Sequence, residues 1–61
     1  MPFVLIQLIE GRTSEQKSAL VAAVTDAVVR ALGDTTAADV MITLEDVPKS
    51  HFAVGGRLLS D

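Results

Sequence analysis

Residues 2–17 read PFVLIQLIEGRTSEQK, and this stretch contains the signals for a strand, a turn and the start of a helix. Residues 2–9 are apolar except for Gln7 and include several β-branched side chains, which is typical of a strand covered on both faces. Such a strand lies at the centre of a sheet or against a neighbouring subunit. Pro2 fits this interpretation because proline is tolerated at the first position of a strand.

A helix is predicted to follow the turn at 10–12. Thr13 can cap its first turn, and Gln16 three residues later completes the capping-box pattern. We therefore expect the helix over 14–32, with Gly33 just beyond its end.

Apolar side chains recur along this helix at three- and four-residue spacing, which predicts a single stripe that faces a sheet. The members of the stripe are Leu20, Val24, Ala27, Val28, Ala31 and Leu32. Val21 and Val29 fall outside it, and we interpret them as a second contact, made with another subunit.

A second strand is predicted over 39–45, where the alternation of side chains indicates that one face is more buried than the other. The Gly55-Gly56 pair predicts a tight hairpin within 53–58. Strand, helix and strand together predict a βαβ unit with parallel strands and a right-handed crossover. The expected fold class is therefore α+β, a single βαβ unit with a short C-terminal hairpin. One sheet face stays bare in such a unit, so we expect oligomerisation to complete it.

The composition agrees with self-association. A chain of 61 residues forms one domain at most, and its core is marginal. Apolar residues make up 49% of the chain, which is more than so short a chain can hide within itself. Cysteine is absent and His51 is the one histidine, so we expect neither a disulfide nor a bound metal.

Charge and hydropathy argue against nucleic acid and membrane as partners. Eight acidic residues against five basic ones give a net charge of -3, which argues against binding to nucleic acid. No apolar run approaches the roughly 18 residues that a membrane span requires. The first residues also lack the basic and apolar regions of a signal peptide. We therefore expect a cytoplasmic protein without membrane contact.

The Met1-Pro2 start can supply a catalytic group. Initiator methionine is normally removed before a small residue, which leaves a domain of residues 2–61 with a secondary amine at Pro2. A free α-amine titrates near about 8, and burial or a nearby cation lowers its pKa further. An amine that is neutral at physiological pH is an effective general base. Many proteins begin with Met-Pro, however, so this start alone is weak evidence for a catalytic amine.

Two other pairs of residues are weaker candidates. Ser50 and His51 are adjacent, but neighbouring residues rarely share one side-chain face, and no orienting acid is implied. Glu45 and Asp46 stand at a strand end, where solvated carboxylates are the simpler interpretation.

Two blocks of sequence, together with Pro2, resemble the 4-oxalocrotonate tautomerase family. The first block is Ile9-Glu10-Gly11-Arg12-Thr13 with Glu15-Gln16-Lys17, and the second is His51-Phe52-Ala53-Val54-Gly55-Gly56. The resemblance covers residues 2–61. It implies the βαβ subunit of the tautomerase superfamily, assembled as a hexamer of three dimers. It also implies proton transfer between the enol and keto forms of a small acid, without metal or cofactor.

The resemblance assigns roles to three residues. Pro2 corresponds to the general base of the family. Arg12 corresponds to the arginine that binds a substrate carboxylate, a task that suits a permanently charged, bidentate guanidinium. Phe52 corresponds to the aromatic residue that keeps the pocket apolar and the pKa of the proline amine low.

One position departs from the family. Members that act on the dicarboxylate 2-hydroxymuconate carry a second arginine early in the second strand. Met41 stands there in this chain, and shifting the alignment by one residue brings Val40, which is no better. A thioether cannot replace a cation, so one electrostatic contribution to catalysis is missing. A monoacid dienol or an arylpyruvate enol is therefore the more plausible substrate. Arg57 either supplies the lost charge from an adjacent subunit or is a solvated residue of the C-terminal arm.

Two alternatives remain open at this point. The chain can be a non-catalytic or weakly catalytic subunit of a mixed tautomerase hexamer, an interpretation that Met41 motivates. It can also hydrate or dehalogenate an unsaturated acid, which requires a water-activating carboxylate. Glu45 and Asp46 are the only candidates for that role.

Overall fold

The computed structural model describes residues 1–61 and forms a thin, elongated βαβ unit with an arm, 45 × 24 × 14 Å along its principal axes. No helix in it has the length and apolar character needed to cross a membrane. The elements in chain order are β1 (Phe3–Ile9), α1 (Ser14–Leu32), β2 (Met41–Val47), β3 (Ala53–Val54) and β4 (Arg57–Leu58). Single turns of 3-10 helix at Ala37–Asp39 and Lys49–His51 precede β2 and β3.

β1 and β2 lie side by side and run parallel. Their register places Phe3 opposite Met41 at one end and Ile9 opposite Val47 at the other. The only connection between them passes through α1, as a parallel pair requires. The predicted α+β class and βαβ order are therefore confirmed.

The ends of α1 follow from local side-chain chemistry. Thr13 Oγ1 accepts a hydrogen bond from the Gln16 amide at 3.1 Å, and Gln16 Oε1 accepts one from the Thr13 amide at 2.9 Å. These reciprocal bonds satisfy two amides that the first turn leaves without partners. At the other end the Gly33 amide donates to the carbonyl oxygen of Val29 at 3.1 Å. The predicted bounds of the helix are confirmed.

The predicted bounds of both strands need correction. Asp39 does not begin β2, because its amide donates to the carbonyl oxygen of Thr36 at 3.0 Å in a 3-10 turn. β2 therefore begins at Met41 and continues to Val47 instead of ending at 45. Pro2 immediately precedes β1 and is not its first residue.

The covered face of α1 also differs from the predicted stripe. The half-buried positions are Lys17, Leu20, Val21, Val24, Thr25, Val28 and Val29. The prediction that Val21 and Val29 lie off the stripe was wrong, whereas Ala27, Ala31 and Leu32 are exposed. A helix of 19 residues is about 28 Å long and a strand of 7 residues about 23 Å, so the last helical turn extends past the sheet.

One face of the sheet has no cover. α1 packs over the face that carries Val4 and Ile6, which are half-buried, whereas Phe3, Leu5 and Met41 on the opposite face are exposed. We call this second surface the bare sheet face. No residue of the chain is buried. The prediction that β1 is covered on both faces is not met within one chain.

The total surface gives a measure of what is uncovered. A compact monomer of 6.4 kDa is expected to expose about 3,800 Å², whereas this chain exposes 4512 Å². The excess of about 700 Å² is comparable to what one partner contributes to a typical protein interface. A single copy therefore lacks a finished core.

The predicted C-terminal hairpin is confirmed as β3 and β4. Ala53 pairs with Leu58 and Val54 with Arg57 in antiparallel register. Gly55 and Gly56 form the turn with φ of 60° and 83°, and a two-residue turn with positive φ at both positions matches the twist of a hairpin. Every residue of this arm is exposed.

Candidate active site

Pro2 lies at the end of the sheet where both strands begin. It is half-buried, and its carbonyl oxygen accepts a hydrogen bond from the Met41 amide at 3.1 Å. The register therefore places Met41, the position at which the resemblance led us to expect a second arginine, beside the candidate base of the same chain. The Pro2 nitrogen is an amide while Met1 is attached, so it becomes basic only after Met1 is removed.

Arg12 lies at the opposite end of β1. Its Nη1 donates to the carbonyl oxygen of Ile9 at 2.9 Å, and its guanidinium forms no ion pair with any carboxylate of the chain. Gly11 before it has a φ of 123°, a conformation that residues with a Cβ atom rarely adopt, although no atom would clash with a Cβ there. The backbone therefore turns sharply at Gly11, before Arg12. The other N–H donors of the Arg12 guanidinium have no partner within the chain.

The carboxylates at the end of the sheet where the strands finish already have partners. Glu10 Oε1 accepts from the Lys49 amide at 3.2 Å, and Asp46 Oδ2 pairs with Lys17 Nζ. Glu45 Oε1, on the bare sheet face, accepts from Gln7 Nε2 at 2.9 Å.

Phe52 lines a cavity of about 380 Å³ at the end of the sheet where the strands finish. The other lining residues are Gln7, Glu45, Asp46, Val47, Pro48 and His51. Neither Pro2 nor Arg12 lines this cavity. No hydrogen bond joins Ser50 to His51, so the pair lacks the contact that a nucleophile and its base require.

One chain does not bring the three predicted site residues together. Pro2 is separated from Ile9, the neighbour of Arg12, by about 23 Å of strand, at about 3.3 Å per residue. A small unsaturated acid cannot span that length. Arg57 lies in the arm, away from Pro2 and Arg12 in the sequence, and its side chain is exposed and has no ion-pair partner.

The family model described as "Tautomerase enzyme" matches residues 2–61. The chain belongs to the tautomerase family. This tautomerase is 45% identical to a probable tautomerase of Bacillus cereus, over all of this chain and 98% of the relative. It is 43% identical to the 2-hydroxymuconate tautomerase of Bacillus subtilis, over all of this chain and 97% of that one.

Solved structures agree with the sequence relatives. A homologue of 4-oxalocrotonate tautomerase superposes with a TM-score of 0.92 at 42% identity, covering 98% of this chain and 97% of that one. A heterohexameric 4-oxalocrotonate tautomerase from Chloroflexus aurantiacus J-10-fl superposes with a TM-score of 0.91 at 34% identity, covering 100% and 97%. The resemblance to this family and the prediction of a tautomerase, an isomerase, are therefore confirmed.

Sequence reasoning missed two contacts near the site. The pairs Gln7–Glu45 and Lys17–Asp46 each join residues that are far apart in the chain. Gln7 gave a signal, since it is the only polar residue of β1. Its partner depends on the strand register, which the sequence does not specify.

Proposed function

We propose that residues 2–61 form a cofactor-free tautomerase of the cytoplasm that moves a proton between the enol and keto forms of a small unsaturated 2-hydroxy or 2-oxo acid. The Pro2 amine accepts the proton of the enol hydroxyl, the carbonyl forms as the electron pair shifts to carbon, and the amine returns a proton to that carbon. Atoms and electrons balance without any co-reactant. The observation that carries this proposal is the family match that begins at Pro2, a half-buried residue beside the bare sheet face.

The surroundings of Pro2 support its role as the base. Phe3 and Met41 are the nearest residues of the bare sheet face, and both are exposed in the single chain. A subunit that covers this face removes water from beside the amine. Desolvation disfavours the charged form of an amine and so lowers its pKa towards neutrality.

Arg12 is proposed to bind the substrate carboxylate. Its one hydrogen bond, to Ile9, fixes the side chain without using the remaining donors of the guanidinium. A planar guanidinium with free donors forms two parallel bonds to a carboxylate. Phe52 is proposed to supply the apolar wall, because an aromatic ring excludes water. The Phe52 side chain is 43% exposed, so its ring is accessible to a ligand.

The proposed assembly is a homo-hexamer, a trimer of dimers. Since about 23 Å of strand separates Pro2 from the Arg12 end of one chain, a complete site requires residues from more than one copy. The uncovered surface of the bare sheet face and arm supplies the apolar area for such contacts. The heterohexameric relative is itself an assembly of six chains.

Leu5→Lys tests this assembly. Leu5 is 61% exposed at the middle of the bare sheet face, so a charge there must be buried without a partner when a second copy covers it. We expect sedimentation at micromolar concentration to show a smaller species, with loss of turnover. The matched control is Leu32→Lys at the end of α1, where Leu32 is 55% exposed. An unchanged mass for the Leu5 variant would contradict the proposal.

Met41 points to a substrate with one carboxylate. The tautomerase has no cation at this position, so a second carboxylate or the developing oxyanion gains no charge stabilisation there. We expect Met41→Arg to raise kcat/KM for 2-hydroxymuconate about tenfold or more while changing that for phenylenolpyruvate much less. Met41→Leu, which keeps the size without a charge, is the control. An equal change for both acids would show that this position does not set substrate choice.

The direct test of the function is turnover by protein whose intact mass shows that Met1 is absent. Ketonisation of phenylenolpyruvate and of 2-hydroxymuconate is followed by ultraviolet absorbance. We expect turnover of both, with the monoacid favoured. No turnover of either acid by the mature assembled protein would contradict the proposal.

A second candidate function rests on Met41. A tautomerase chain without the second-strand cation can serve as the weakly catalytic or non-catalytic subunit of a mixed hexamer, and the Chloroflexus relative is a heterohexamer. Arg57 of an adjacent subunit is the alternative source of the missing charge. Finding neither a homo-oligomer nor turnover in the purified protein would favour the mixed assembly.

A further inference from the structure

One hydrogen bond ties residues 49–61, which we call the C-terminal segment, to the βαβ unit. The Lys49 amide donates to Glu10 Oε1 at 3.2 Å, and no other hydrogen bond or ion pair joins residues 49–61 to residues 1–47. We propose that Glu10 is a positioning residue that sets the direction of this segment and so holds Phe52 at the Arg12 end of the sheet. This inference rests on the proposed roles of Arg12 and Phe52.

The hydrogen bond has a local cause. Pro48 stands at the N-cap position of the 3-10 turn Lys49–His51 and has no side-chain acceptor, so the first amide of the turn needs an acceptor from elsewhere. The Glu10 amide donates to the carbonyl oxygen of Val47 at 3.0 Å, which continues the ladder of the two strands by one residue. This backbone bond places the Glu10 side chain within reach of the Lys49 amide.

The Glu10 carboxylate has no other partner in the chain. It forms no ion pair, and the residue is exposed, so its removal leaves no cation unpaired and opens no cavity. The Lys49 amide is a neutral donor, so an amide oxygen can replace the carboxylate oxygen as its acceptor. Glutamine at position 10 should therefore keep the bond, and alanine should lose it.

The bond connects the two turns that carry the proposed binding residues. Arg12 follows Glu10 by two residues. Phe52 directly follows the 3-10 turn that Lys49 begins, and its carbonyl oxygen accepts a hydrogen bond from the Leu59 amide at 2.9 Å. Phe52 and the hairpin therefore move together, and Glu10 fixes both relative to the turn that bears Arg12.

Loss of the bond should let the C-terminal segment take other directions. Every residue of 49–61 is exposed, so little packing within the chain opposes such a movement. One hydrogen bond shifts an equilibrium of this kind by about tenfold. An aromatic wall that is displaced for part of the time excludes water less well, so the rate should fall by a factor no larger than this shift.

The direct measurement is fluorine NMR of the mature, assembled protein labelled with para-fluorophenylalanine. Phe3 and Phe52 are the two phenylalanines of the chain, so two resonances are expected, and a Phe52→Leu variant assigns them. In Glu10→Ala the Phe52 resonance should broaden, or move towards that of the free amino acid, by more than the Phe3 resonance does. In Glu10→Gln both resonances should match those of the parent. An unchanged Phe52 resonance in Glu10→Ala overturns the proposal.

Kinetics with phenylenolpyruvate measure the consequence for the reaction. Glu10→Ala should lower kcat/KM by about fivefold to tenfold, and Glu10→Gln should stay within about twofold of the parent. Glu15→Ala, which removes the same charge from the first turn of α1, should resemble the parent. A Glu10→Gln variant as impaired as Glu10→Ala would show that the charge matters and not the hydrogen bond, and it would overturn the proposal.

A double variant tests whether Glu10 acts through Phe52. Glu10→Ala combined with Phe52→Leu should have the kcat/KM of Phe52→Leu alone, because there is then no ring left to position. A further loss as large as that of Glu10→Ala alone would show that the two residues act independently, which contradicts the proposal.

A purely structural role is recognised by the oligomeric state. Should Glu10→Ala not assemble, Glu10→Met, which keeps the length of the side chain without the carboxylate, is measured by the same NMR and kinetic experiments. Loss of assembly in both variants would make Glu10 a structural residue and would overturn the proposal.

Failure of the proposed function is recognised separately, because the NMR measurement requires no turnover. If Phe52→Leu leaves kcat/KM unchanged, Phe52 is not part of the site, whatever its resonance does in Glu10→Ala. If Phe52→Leu lowers kcat/KM but Glu10→Ala changes neither the rate nor the resonance, only the role of Glu10 is wrong.

Discussion

Pro2→Ala is expected to lower kcat/KM for phenylenolpyruvate by about 10²-fold or more, within the range that a positioned general base contributes. Alanine is also small enough to be exposed by removal of Met1, so the variant keeps an α-amine. It loses the pyrrolidine ring, which makes the amine secondary and holds the nitrogen lone pair in one direction. The measurement is initial-rate ketonisation by protein of confirmed mass and oligomeric state.

A form of the parent that retains Met1 is the control for the chemistry of Pro2. Its residues 2–61 are unchanged, but its Pro2 nitrogen is an amide and accepts no proton. We expect assembly without turnover. In the mature parent, kcat/KM should fall as the pH drops below the pKa of the amine, because only the neutral amine is a base. A Pro2→Ala variant with the rate of the parent would show that the proline ring is not needed, and turnover by the form that retains Met1 would exclude the Pro2 amine as the base.

Arg12→Gln is expected to reduce kcat/KM about 10²-fold, mainly through KM. A hydrogen bond to a charged group is worth about 1.5–3 kcal/mol, and a bidentate pair forms two of them. Glutamine keeps polar character and most of the length of the side chain, so the loss of charge and of the second donor dominates. The measurement is saturation kinetics with phenylenolpyruvate and with 2-hydroxymuconate.

Arg12→Lys is the matched variant because it keeps the charge but loses the planar fork. We expect it to fall between the parent and Arg12→Gln. Since the Arg12 guanidinium has no ion-pair partner within the chain, neither substitution leaves an unpaired carboxylate behind. A KM for Arg12→Gln equal to that of the parent would remove Arg12 from the site.

Local signals in the sequence were sufficient for the helix and the hairpin. The capping box at Thr13 and the glycine at 33 act within a few residues, so the bounds of α1 could be read directly. The start of β2 was misplaced because Thr36 and Asp39 favour a 3-10 turn over an extended chain. That competition is also local, but its outcome depends on small differences in energy.

The relative positions of the candidate site residues could not be predicted from local sequence signals. Pro2, Arg12 and Phe52 were identified by resemblance to the family, and they lie at different places in the single chain. The Lys17–Asp46 pair depends on how α1 meets β2 and on the strand register, which are properties of the tertiary structure. The misplaced stripe on α1 has the same origin, since the sheet is shorter than the helix that crosses it.

The lack of any buried residue has a consequence for the protein in the cell. Binding to identical neighbours stabilises the folded state by mass action, so the melting temperature of such a protein rises with its own concentration. If the proposed homo-oligomer forms, a newly synthesised chain is open to proteases until it meets others of its kind. In that case we expect the steady-state amount of protein to rise more steeply than linearly with the rate of synthesis, because chains made at a low rate are degraded before they assemble.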